Sequence, residues 1–339
     1  MLQIVQETHV QKLIFLFLFL LVTSLTALET LVVKLGDDAF FEKQVKLLTY
    51  GSVEEKISAI YNLRAVKSKR ALRPLILALR GASSLSSKEV KSVTQEINPD
   101  GDYSIINLNI PQNKIPAIRF LAAQGLAEIR HEIAVKPLLD TYKEFAEILA
   151  KKKNQRVFFE KFEDMPDVVA AGEVLKALGF LMPDAENKEI IDVLSEALNH
   201  EHYYIRAAAA EGFANSDRDS MIPIIEAAVA KEKDEIAKAT MHASIVDIRK
   251  TNTKHFFELI ELLKSPNPYV RLKVSSLLGM LAIENSETYL RQAMQIEDSI
   301  SVKNQMKSDI VLITTYEVPN APSASYGTEL DRNKKSDTK

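Results

Sequence analysis

Apolar residues return at intervals of three and four through most of this chain. The clearest stretch is Asn267–Met294, NPYVRLKVSSLLGMLAIENSETYLRQAM. Val270, Val274, Leu277, Leu278 and Leu281 fall on one face of a helix. Pro268 stands where a helix opens without losing a needed backbone hydrogen bond. Gly279, near the end of that helix, permits a close helix approach or a turn. Past the polar break Glu284-Asn285-Ser286-Glu287, a second helix turns Tyr289, Leu290, Ala293 and Met294 inward. The pattern predicts two antiparallel helices that cannot bury their apolar side alone.

The same pair recurs along the sequence. Arg271 has counterparts at Lys56, Arg119, Arg206, Lys238 and Lys303, and the anchors from Arg206 onward lie 32 or 33 residues apart. Three positions beyond each anchor comes a core residue: Ala59, Ala122, Ala209, Met241, Val274 and Met306. Seven positions beyond comes another: Leu63, Leu126, Phe213, Ile245, Leu278 and Ile310. Pro74, Pro137 and Pro223 follow Lys56, Arg119 and Arg206 by 17 or 18 residues, at the start of second helices. Period, proline phase and core phase agree, which predicts an all-α fold, an α-solenoid of stacked helix pairs.

In this layout the chain resembles the HEAT-repeat family in its short, PBS-lyase-like form. The early basic residue, the prolines, and Ala177-Leu178-Gly179 and Leu277-Leu278-Gly279 carry the likeness. It spans roughly Tyr50–Leu312, and one unit departs from it, with Ala171 where the basic residue is expected. The resemblance implies a superhelix whose second helices line the concave side. It also raises an enzymatic alternative, because deoxyhypusine hydroxylases resemble this fold and bind iron through four His-Glu pairs. This chain has two, His131-Glu132 and His200-Glu201, and neither matches in position. A zinc shared by His200 and His202 lacks a third ligand. The phycobilin lyases, a second HEAT-like family, offer no short motif to place here. No G-x-S-x-G, H-E-x-x-H or phosphate-binding glycine loop occurs. No cofactor or metal is expected.

Four segments follow from the pattern. Residues 1–27 hold the uninterrupted apolar run Leu13–Val22 and read as a signal peptide, cleaved after Ala27 or Ser24, with an uncleaved anchor as the alternative. Residues 28–49 supply an N-terminal capping helix, and residues 50–312 the repeats. Residues 313–339, with Pro319, Pro322 and a polar end, read as a disordered tail. Within the repeats, 82–112 breaks the period; Asn98-Pro99-Asp100-Gly101-Asp102 is a turn and Tyr103–Ile110 is strand-like. It is either a decayed repeat or an insertion used for recognition. Lys151–Lys153 and Arg156 read as a solvated helix end, and Phe158, Phe159 and Phe162 as a hydrophobic seal.

Composition changes this picture little. A formal charge of −3 gives no basic footprint, so no nucleic-acid partner is expected. Cysteine is absent, which removes disulfides, thiolate metal sites and thiol nucleophiles. Export places the protein in a bacterial periplasm or outside the cell, with membrane contact only if the N-terminal segment stays uncleaved. Surface then becomes the candidate for function. Arg73 and Arg80, Lys136 and Asp140, and Glu189, Asp192 and Glu196 fall on the exposed sides of successive second helices, with charge running from basic to acidic. The expectation is a non-catalytic scaffold or adaptor holding a protein or peptide in its concave groove. The alternative is a HEAT-like enzyme of lyase or metal-dependent hydroxylase type.

Overall fold

Helix-period apolar faces of this kind have nowhere to go but against one another, and they build two rows. The computed structural model describes residues 38–81, 114–151, 165–182, 187–251, 253–283 and 285–316. Fourteen α-helices and no strand occur among these described residues. A leading helix, α1 (Asp38–Tyr50), precedes the pairs. The first helices are α2 (Val53–Val66), α4 (Ile115–Ile129), α6 (Pro166–Phe180), α8 (Tyr203–Asn215), α10 (Glu235–Arg249), α12 (Pro268–Leu281) and α14 (Ile300–Tyr316). The second helices are α3 (Leu72–Gly81), α5 (Val135–Lys151), α7 (Lys188–Ala197), α9 (Ile222–Val229), α11 (Lys254–Glu261) and α13 (Ser286–Ile296). Each first helix packs on the next first helix in the row, from α2 to α14. This is an α-solenoid of antiparallel pairs.

Small residues let that row close up. Ala207, Ala208, Ala209 and Ala210 are all buried in α8. Where α6 crosses α8, a methyl group on Gly179 would stand 1.8 Å from the Gly212 carbonyl oxygen, so the crossing demands glycine. Asn215 then donates from its amide to the Lys176 carbonyl across the same contact.

The basic anchors occupy one repeated place. The backbone N–H groups of Lys56, Arg206, Lys238, Arg271 and Lys303 each donate to the carbonyl four residues back, at Ser52, His202, Asp234, Asn267 and Ser299. The side chains of Ser52, His202, Asp234 and Asn267 cap their helices. Arg206 forks onto both oxygens of Glu232 at 2.7 Å, and its third nitrogen donates to the carbonyls of His200 and Glu201. Arg271 repeats this with Glu297 and the carbonyls of Ser265 and Pro266. Glu232 and Glu297 in turn accept from N–H groups of Asp234 and Ser299, at the start of the following unit. Each fork therefore ties the junction before a helix pair to the junction after it. Arg119 is also buried, but it pairs with Glu144 and stacks over Phe145.

Two expectations shift at the edges. The last helix continues through Tyr316, beyond the boundary expected at Leu312, because Ile313 still turns into the core. Among the described residues the leading helix spans Asp38–Tyr50, held to α2 by Asn62 donating to Gln44 and to the turn before α3 by Phe41 beneath Arg70. The segment expected to be a signal peptide, the 82–112 break, residues 152–164 and the tail from 317 lie outside the described residues.

The core divides at α10. Met241, Ile245 and Ile248 belong to the cluster running back to Phe41, while Ala239, Ala243 and Val246 belong to the one running on to Ile313.

Candidate functional site

The second helices carry the residues expected to meet a partner, and the structure links them across units. Arg80 of α3 donates to Asp140 of α5 at 3.3 Å, and Lys136, one turn back on α5, approaches the other Asp140 oxygen at 3.1 Å. Lys143 of α5 reaches Glu189 of α7 at 3.3 Å. Glu196 lies close enough to Tyr142 that burial first, and this carboxylate second, raise the tyrosine pKa. Asp192 and Glu196 are exposed, as expected. Arg73, Arg80 and Asp140 are not: all three are half-buried where α3 packs against α4 and α5. The basic end of the row is consequently turned partly inward, while the acidic end on α7 stands in solvent.

The His-Glu pairs have a different job. His131 accepts the Ile133 N–H through Nδ1, opening the turn before α5. His200 accepts the His202 N–H, and His202 accepts the Tyr204 N–H, so the pair caps α8 in series. Burial, then His200 and Arg206, lower the His202 pKa to about 4, which keeps the ring neutral and able to accept. Burial also lowers His200. Capping occupies Nδ1 of each ring, and among the described residues no three His, Asp or Glu side chains are placed to share a metal.

Sequence reasoning missed a second charged feature, carried by the first helices. Lys176 of α6 meets Glu211 of α8 at 2.7 Å, and Lys273 of α12 approaches the other Glu211 oxygen at 3.9 Å. Burial opposes the charge on Lys176, but Glu211, Tyr204 and Glu173 outweigh it and raise its pKa. Burial likewise opposes the charge on Glu211, and the two lysines outweigh it and lower its pKa. Lys176 and Glu211 share one place in their repeats, five residues after the anchor position, but carry opposite charges, and Lys273 sits two residues after its anchor, so no repeated residue type marks the three.

No family model matches the chain, and no curated protein matches it significantly. Among solved structures, the chain is similar to human deoxyhypusine hydroxylase in complex with glycerol. The likeness has 15% identity and covers 86% of this chain and 91% of that one, with a TM-score of 0.34. At that score the likeness carries no argument about chemistry. The described helices include none long and apolar enough to cross a membrane.

Proposed function

We propose that this protein is an exported, non-catalytic adaptor of HEAT-repeat type that holds a protein or peptide against its second-helix row. The observation that supports the reading is the cross-unit pairing Arg80–Asp140 and Lys143–Glu189. These contacts make three consecutive second helices one polar surface that ends in the acidic run of α7, where Asp192 and Glu196 face water. Such a surface suits a partner with a basic segment, because opposite potentials speed encounter and fix orientation.

The test is site-specific photo-crosslinking from position 192, with position 307 on α14 as the control, in cells making the protein at native level. A discrete partner captured from 192, and lost on reversing the charges of Glu189 and Glu196, supports the adaptor. The same partner retained by that double variant refutes it. The enzyme alternative makes its own demand: stoichiometric iron or zinc in the purified protein contradicts a scaffold. Export predicts a mature protein beginning near Leu25 or Leu28.

A further inference from the structure

The α10 unit lacks the arginine fork that ties the units of α8 and α12. Its anchor is Lys238, whose single charged nitrogen cannot make the two-pronged fork that Arg206 and Arg271 make. The Ser265 hydroxyl of the following junction donates to Glu235 of α10 at 2.8 Å. The two apolar cores also meet on this helix. At the same place, His242 of α10 and His255 of α11 face each other Nδ1 to Nδ1 at 3.0 Å, and His255 Nε2 stands 3.2 Å from Glu226 of α9.

That contact requires one donor and one acceptor. With Glu226 accepting from His255 Nε2–H, a neutral pair works when His242 donates and His255 accepts. One added proton is also accommodated: His255, now charged and paired with Glu226, donates to His242. A second proton is not, since two N–H groups then point at each other. We propose that the α10–α11 contact is an acid-released joint, in which double protonation of His242 and His255 parts α11 from α10 and lets the two core blocks move against each other.

The surroundings favour release over accommodation. Burial, then His255, Lys238 and Lys254, oppose a charge on His242 and hold its pKa to about 4. From α9 the facing group is Glu226, which serves His255. Glu211 of α8 and Lys273 of α12 approach each other at 3.9 Å. In the unfolded chain His242 takes its proton near its ordinary 6.5. The contribution of the neutral ring to stability is therefore full above pH 6.5 and declines as pH falls towards 4.

The joint is independent of the adaptor reading, and its test needs no partner. Hydrogen exchange of the full-length protein is followed between pH 7.5 and pH 4.5, corrected for intrinsic rates. Protection over 254–264 should fall at least ~10-fold more than protection over 115–129, and His255→Gln should reduce the difference. Equal loss in both segments, or an unchanged pH dependence in His255→Gln, overturns the proposal. Imidazole nitrogen shifts of the unmodified protein give a reading that does not rely on the variant folding. His242 still neutral at pH 5 supports the joint, and His242 titrating near 6.5 overturns it.

Discussion

Replacing Arg271 by methionine removes a guanidinium that meets both oxygens of Glu297 at 2.7 Å and donates to the carbonyls of Ser265 and Pro266. Methionine keeps the length and the apolar stem. What remains is a carboxylate whose side chain is 2% exposed, with one backbone N–H, that of Ser299, still donating to it. Removing one partner of a buried pair costs about 3–5 kcal/mol, because the survivor stays charged without compensation. Proton affinity gives a second route to the same size. The hydrogen bond from Arg271 is the main cause that lowers the Glu297 pKa from 4.5 to about 2. At about 1.4 kcal/mol per tenfold change in affinity, this corresponds to roughly 3 kcal/mol. The sign follows from the direction: the contribution is complete above the ordinary carboxylate range and vanishes as pH falls through about 2. Urea unfolding at neutral pH should therefore show Arg271→Met less stable by about 3 kcal/mol, with the gap to the unmodified protein closing towards pH 2. Adding Glu297→Met should recover most of the loss, since apolar replacement of a whole buried pair is often neutral. A cost below about 1 kcal/mol, the range of exposed ion pairs, would refute the fork as a structural tie.

Other substitutions test other parts of the structure. Gly179→Ala places a methyl group against the Gly212 carbonyl and should cost about 3 kcal/mol or prevent folding, read by thermal unfolding. Ala282 ends α12 in the left-handed region at φ 46°, so Ala282→Gly should stabilise by about 1 kcal/mol in the same assay. His202→Asn keeps a side-chain acceptor for the α8 cap but cannot be protonated. It should match the unmodified protein at neutral pH and outlast it as pH falls from 6.5 towards 4, monitored by circular dichroism.

The repeat was legible because stacking forces identical choices at identical positions. Ala59, Ala209, Met241, Val274 and Met306, chosen by spacing alone, are all completely buried. The capping residues four before each anchor were equally present in the sequence, as Ser52, Asp234 and Asn267, and so were glutamates 26 residues after Arg206 and Arg271. Those signals went unread because neither lies within a single helix. The candidate site was less legible. A helix-period pattern says which residues leave the core, but not what reaches across to meet them. Arg80 looks solvent-facing on α3 alone, and only the approach of α5 supplies Asp140 and reduces its exposure. His242 and His255 are separated by a helix end and a turn, and the sequence has no means to show that their rings touch.

The forks of Arg206 and Arg271 find their glutamates a fixed distance downstream, just beyond the same helix pair. A duplicated segment would carry both halves of the interaction with it, so the array can be lengthened without waiting for a complementary change elsewhere in the gene. The α10 segment has no such inheritance. Copying it would insert another Lys238-type unit, and with it another weak seam, which gives duplication a reason to start from either of the arginine-bearing segments instead.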